Sequence, residues 1–195
     1  TALMVALIAT PISPAVAAPP DPATVAGVLR AHERLAPEPL RRPSTQASLA
    51  LGGVGGTVAV GTDHTCVAVV YANVWCWGAN DRGQLGDGST RDSADPVSAT
   101  ATGRLADQVI LGVTTGRAHT CAATLEGEAF SAYCWGANDR GQLGDGSLDD
   151  RDRPAEVAAN ILGLAAGAEH TCVLGADRDV SCWGRNDDGR LGVDT

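Results

Sequence analysis

The residues with chemical potential in this chain come in three similar sets: His64, Cys66 and Cys76; His119, Cys121 and Cys134; His170, Cys172 and Cys182. As metal ligands each set offers three donors, whereas tetrahedral zinc takes four, and the Cys-x-x-Cys spacing of zinc sites is absent. As thiols they pair within each set. Six cysteines allow fifteen connectivities, and the recurrence selects Cys66 with Cys76, Cys121 with Cys134, and Cys172 with Cys182. Loops of this size are stabilised by roughly 2.5 to 3 kcal/mol when closed without strain. Such bonds persist only in an oxidising compartment. Catalysis by the histidines is disfavoured, because an active site is built once while scaffold positions repeat. There is no nucleophile elbow, phosphate loop or metalloprotease motif. The acidic runs 149–152 and 186–188 lack EF-hand spacing and read as solvated turns. No catalytic residue, cofactor or metal is therefore expected.

The elements that position these groups also repeat. The fourteen residues CWGANDRGQLGDGS occur unchanged at 76–89 and 134–147, and a third copy reads CWGRNDDGRLG at 182–192. Upstream of each lies a Gly-x-x-His-Thr-Cys block, beginning at Gly61, Gly116 and Gly167, and the blocks are 55 and 51 residues apart. A fixed period near fifty signals a stack or ring of similar units. Within a unit, 170–174 and 180–183 flank a turn-rich segment at 175–179 and predict a hairpin. Gly83, Gly86 and Gly88 then permit a sharp turn. Further strands are expected to end near Val97 and Val157 and to resume over 108–113 and 160–165. Several strands per unit with no strong helical stripe indicate all-β radial repetition, a propeller.

Composition agrees. Of 195 residues 24 are Gly, aromatics are 4%, and there is one Phe, so the core is built from small aliphatics and Trp. The net charge is -9, and no basic run exists to neutralise phosphates, which disfavours nucleic acid as a partner.

In the order Gly-x-x-His-Thr-Cys, Cys-Trp-Gly, Asn-x-x-Gly-Gln-Leu-Gly, residues 57 to 195 resemble the regulator of chromosome condensation family. That resemblance implies a β-propeller, in the family a ring of typically seven four-stranded blades. About three units are present (51–195, the last incomplete), so the ring is incomplete in this chain, which is read as a fragment rather than as a short protein that assembles rings from several copies. Upstream, 1–17 reads as a signal peptide truncated at its start, with an apolar run at 2–9 and small residues at 15–18. Residues 18–50 read as a Pro- and Arg-rich linker with one short helix near 21–35. After signal removal no membrane span is expected.

Repeated residues make the scaffold: His64, His119 and His170 are assigned to hydrogen bonding of the backbone, and Trp77, Trp135 and Trp183 to packing between units. Function is expected where the repeats differ. Tyr71, Trp75, Arg91, Phe130, Tyr133, Arg151 and Arg178 lie there, the aromatic and Arg mixture of protein interfaces. The expected function is an exported, secreted, periplasmic or cell-surface propeller that binds another protein; family members that inhibit β-lactamases are a precedent by resemblance. Alternatives are nucleotide exchange on a small GTPase, and a propeller enzyme whose site lies on other blades.

Overall fold

The computed structural model describes residues 48–51, 56–69, 73–99, 105–106 and 108–194. The signal-peptide and linker-helix readings and Tyr71 lie outside the described residues. The described residues form twelve strands and no helix, in three antiparallel sheets. Blade 1 holds β1(Ser48–Leu51), β2(Gly56–Val60), β3(His64–Val69), β4(Val74–Gly78) and β5(Ser93–Ser98). Blade 2 holds β6(Val109–Thr115), β7(His119–Glu126), β8(Ala129–Gly136) and β9(Arg151–Ala159), and blade 3 holds β10(Ile161–Ala166), β11(His170–Gly175) and β12(Val180–Gly184). The blades therefore contain five, four and three strands rather than four each. Strands are hydrogen-bonded in sequence order within every blade, as in a meander. β6 packs against β2 and β3, and β10 against β6, β7 and β8, so the blades follow one another in an arc of a propeller that does not close a ring.

The period-2 alternation of strands explains the core. On β8, Ser131, Tyr133 and Trp135 face blade 1, where Tyr133 and Trp135 join Ala99, Leu105 and Ile110 in one buried cluster. The opposite face carries Ala132 and Cys134, which meet residues of blade 3 and the Leu143 turn. Three hairpins are stapled at directly opposed positions: Cys66–Cys76, Cys121–Cys134 and Cys172–Cys182 are disulfides, each with Cα atoms 4.1 Å apart. All six sulfurs are engaged in these bonds and none is a free thiol.

Candidate functional site

Each Gly-x-x-His block forms a tight two-residue turn. The Gly61 amide donates to the His64 carbonyl at 2.9 Å, and the same bond recurs from Gly116 to His119 and from Gly167 to His170, both at 2.8 Å. Only glycine fits the first position, because a Cβ on Gly61 would lie 2.6 Å from the His64 ring and 2.7 Å from the Gly116 carbonyl. Rows of these turns place the two intervening residues at one end of the blades: Thr62 and Asp63, then Arg117 and Ala118, then Ala168 and Glu169.

Behind this end runs a buried ladder that joins blade to blade. Thr120 Oγ1 donates to the Gln84 carbonyl (2.9 Å), and Trp135 Nε1–H donates to the same oxygen (2.9 Å). Its hydroxyl proton being spent there, Thr120 accepts from His64 Nε2 at 2.9 Å, which fixes the Nε2–H tautomer of a neutral imidazole. The unit recurs one blade on: Thr171 and Trp183 donate to the Gln142 carbonyl (2.8 and 3.0 Å), and His119 Nε2 donates to Thr171 (3.0 Å). Burial lowers the His64 pKa to about 4 and the His119 pKa to about 3, the latter with a further contribution from the neighbouring histidines. The Nδ1 atoms of His64, His119 and His170 are buried and have no hydrogen-bond partner among the described residues. His64, His119, Trp135 and Trp183 thus bond from one blade to the next, and the two histidines do so to a threonine side chain of the following blade rather than to backbone.

The turn glycines seat this ladder. Gly86 and Gly144, at φ +75° and +77°, lie directly beneath the Trp135 and Trp183 rings, so a Cβ at either would strike indole. Asn80 and Asn138 hold the rest of the loop: the Asn80 carboxamide accepts the Leu85 amide (2.9 Å) and donates to the Ser89 carbonyl (3.0 Å), with the same pair at Asn138.

At the exposed end the ladder is capped by a cleft of about 300 Å³ lined by Asp63, Asp81, Arg82, Arg117, Asp139 and Glu169. Arg82 of blade 1 reaches Asp150 (Nη2 to Oδ1 2.9 Å) and Asp139 (3.3 Å) of blade 2. Its hydrogen bond to Asp150 raises the Arg82 pKa further; burial opposes the effect at Asp150, but the Arg82 bond and the Asn138 amide hold that carboxyl below its ordinary range. Glu169 of blade 3 bridges Arg185 (2.7 Å) and Arg117 (3.7 Å), and the Arg117 side chain is 66% exposed. The result is a cleft of four carboxylates and two arginines in which Arg117 is the more exposed cation.

The seven residues expected at the interface are dispersed. Tyr133 is withdrawn from that set, since β8 alternation points it into the core at 1% exposure. Trp75 is half-buried on β4. Arg91 and Arg151 lie at the cleft end, where Arg151 is paired with Asp145; burial opposes the shift, but the Ser147 amide and the Arg151 guanidinium hold Asp145 at about 2. Phe130 and Arg178 lie near the β7–β8 and β11–β12 turns, at the opposite end. Sequence reasoning missed Asp63, Arg82, Arg117 and Glu169. The signal for three of them was present in the variable pair between Gly and His, inside a block otherwise constant.

The Regulator of chromosome condensation (RCC1) repeat matches residues 72–123 and 131–174, and a second description under that title matches 110–142 and 161–190. Over 148 residues the chain is 38% identical to the Ultraviolet-B receptor UVR8 of Arabidopsis thaliana, covering 71% of this chain and 32% of the receptor. In three dimensions it is similar to the structure of Kap60 bound to yeast RCC1 (Prp20), with TM-score 0.59 and 26% identity over 71% of this chain and 34% of that one. It is similar as well to Prp20p from Saccharomyces cerevisiae, whose structure was described with its binding to Gsp1p and histones, with TM-score 0.57 and 27% identity over 71% and 34%. The chain thus spans about a third of the length of these relatives.

Proposed function

The chain belongs to the regulator of chromosome condensation (RCC1) repeat family, and from that premise we propose that it is a protein-binding propeller of an oxidising compartment, without catalysis of its own. One observation carries the proposal: the only variable pair inside an otherwise constant block, Asp63, Arg117 and Glu169 among its members, gathers on one face around one cleft. Sterically constrained glycines and engaged histidines leave that pair as the part of the block that varies, and variation on a constant scaffold is how a repeat protein encodes a partner. Protein partners are also what the work on the relatives describes: Kap60 for yeast RCC1, Gsp1p and histones for Prp20p. The three disulfides support export, to a secreted, periplasmic or surface location, and they disfavour nucleotide exchange on a GTPase in a reducing compartment. The acidic charge of -9 disfavours nucleic acid.

Affinity capture with the wild-type chain beside Arg117→Glu tests the reading, followed by calorimetry of each captured protein at low and high salt. Exposed ion pairs contribute little to stability, about 0 to 1 kcal/mol, so the variant should fold normally. Binding should weaken roughly tenfold and the wild-type affinity should fall with salt. Equal capture by both proteins would remove this face from the function.

A further inference from the structure

The three repeats can be read against one another as natural variants of a single blade, and one position differs with a structural consequence. Tyr133 on β8 corresponds to Ser181 on β12, each preceding the disulfide cysteine and each on the face that carries the ladder tryptophan. Between blades 1 and 2 the Tyr133 ring is buried against Ala99, Leu105 and Ile110, and the interface is sealed. Between blades 2 and 3 the serine leaves that volume open. The β11–β12 hairpin is also shorter than β7–β8, with six- and five-residue strands in place of eight and eight. A groove of about 690 Å³ lies there, lined by Ala158, Val173, Ser181 and Trp183 among others. Among the described residues, the charged ones that line it are Asp177 and Asp179. The turn that carries them is tied to the opposite wall, the Ala176 amide donating to the Asn160 carbonyl at 2.8 Å, so the rim is formed in advance.

We infer that this groove between blades 2 and 3 binds a peptide segment of a protein partner that presents a tyrosine or phenylalanine beside a lysine or arginine. The aromatic ring takes the place that Tyr133 fills between the previous two blades, stacked toward the Trp183 indole, and the cation meets the two carboxylates at the rim. The ring supplies most of the binding, because Ala158, Val173 and Trp183 line the walls, and the cation adds to it at the acidic rim. The site is separate from the charged cleft, which lies at the other end of the β10–β11 and β11–β12 ladders. It therefore stands or falls independently of the reading given above.

Tyramine carries a phenol and an ammonium on one small molecule and serves as the first probe, with p-cresol and ethylammonium as halves, and the tetrapeptides acetyl-Ala-Lys-Tyr-Ala-amide and acetyl-Ala-Lys-Ala-Ala-amide as the second. Nitrogen-15 spectra of the full chain report the Trp183 indole and the Val173 and Ser181 amides. Saturable shifts confined to these groups are expected with tyramine and with the tyrosine peptide, weaker ones with p-cresol, and none with ethylammonium or the alanine peptide. Ser181→Tyr, which copies the residue already accommodated between blades 1 and 2, should weaken both ligands by roughly tenfold or more. Should that variant lose its folded spectrum, Ser181→Leu provides a smaller plug with the same expectation. Asp177→Asn with Asp179→Asn should abolish the preference for tyramine over p-cresol, while Arg117→Glu should leave the titrations unchanged. Shifts that do not saturate, or tyramine binding equal in the plugged protein, would overturn the site, and binding of tyramine without the tyrosine peptide would overturn the peptide as its ligand.

Discussion

At the residue scale, glycine does two distinct jobs, and they have different energetic consequences. Gly116 must lack a Cβ because the His119 ring occupies that space, whereas Gly127, at φ +62°, has nothing within 4 Å and needs glycine only for its backbone conformation. Gly127→Ala should therefore cost about 1 to 2 kcal/mol. Gly116→Ala displaces the imidazole and its bond to Thr171, and overpacking of that kind costs about 1 to 3 kcal/mol before the buried hydrogen bond is counted. Urea unfolding of the two variants checks the order, which should place Gly116→Ala well below Gly127→Ala in midpoint. The histidines make a second prediction at this scale. Their folded-state pKa values lie below the ordinary 6.5, so the unfolded chain binds more protons between those limits and stability falls on acidification. Each histidine can contribute about 1.4 kcal/mol per pH unit to that slope, beginning below 6.5 and ending near 4 for His64 and near 3 for His119. Replacement of both by Gln should flatten the stability profile in this window, as followed by denaturation at stepped pH.

At the element scale, the sequence repeat and the blade are out of phase. The family match at 72–123 takes in β4 and β5 of blade 1 together with β6 and most of β7 of blade 2, so one repeat in sequence straddles two blades in space. In that phase Thr120 and its acceptor, the Gln84 carbonyl, belong to one repeat, while the second donor to the same oxygen, Trp135, belongs to the match at 131–174. Trp135→Phe removes the N–H together with part of the buried ring. The Gln84 carbonyl retains Thr120, so the loss should be about 1 to 3 kcal/mol, against roughly 3 to 5 for Trp135→Ala, and thermal unfolding of both variants checks the order. The disulfides act within hairpins. Cys121→Ala with Cys134→Ala opens a link of 13 residues in sequence and should lower stability by about 2 to 3 kcal/mol without loss of the sheet, measured by denaturation of the double variant. Much of this level was legible: hairpins, turn glycines and cysteine partners follow from local spacing. The strand Ser48–Leu51 did not, because it lies at the end of a stretch whose Pro- and Arg-rich composition reads as a linker.

At the scale of the whole molecule, the blades adhere by two mechanisms of unequal reach. Apolar burial seals the first interface with Tyr133, Leu105 and Ile110, while the second, built on Ala132, Ile161 and Val173, has Ser181 where the first has Tyr133 and leaves a groove beside it. Both interfaces share the same polar ladder. Ser181→Tyr should accordingly do more than block a ligand. Filling the groove buries a further aromatic ring, so in the absence of ligand the variant should unfold at equal or higher temperature than wild type, and calorimetry of the two proteins shows it. A marked loss of stability would mean that the neighbouring walls cannot accommodate the ring that the first interface holds.

The fold class, the period and the cysteine pairs were legible in the amino-acid sequence, because each rests on contacts made within one repeat or copied from one repeat to the next. Periodicity transmits such information at any chain separation. The candidate surfaces were not legible in the same way. Composition and variability ranked Tyr133 with Phe130 and Arg178, but the pleat of β8 buries the first, and the turns carry the other two to the end opposite the charged cleft. Asp63, Arg82, Arg117 and Glu169, contributed by three blades, become a single site only when the hairpin turns stand side by side. The vacancy opposite Ser181 exists only because a neighbouring blade supplies its other wall. Those features belong to the spaces between repeats, which are set by packing in three dimensions.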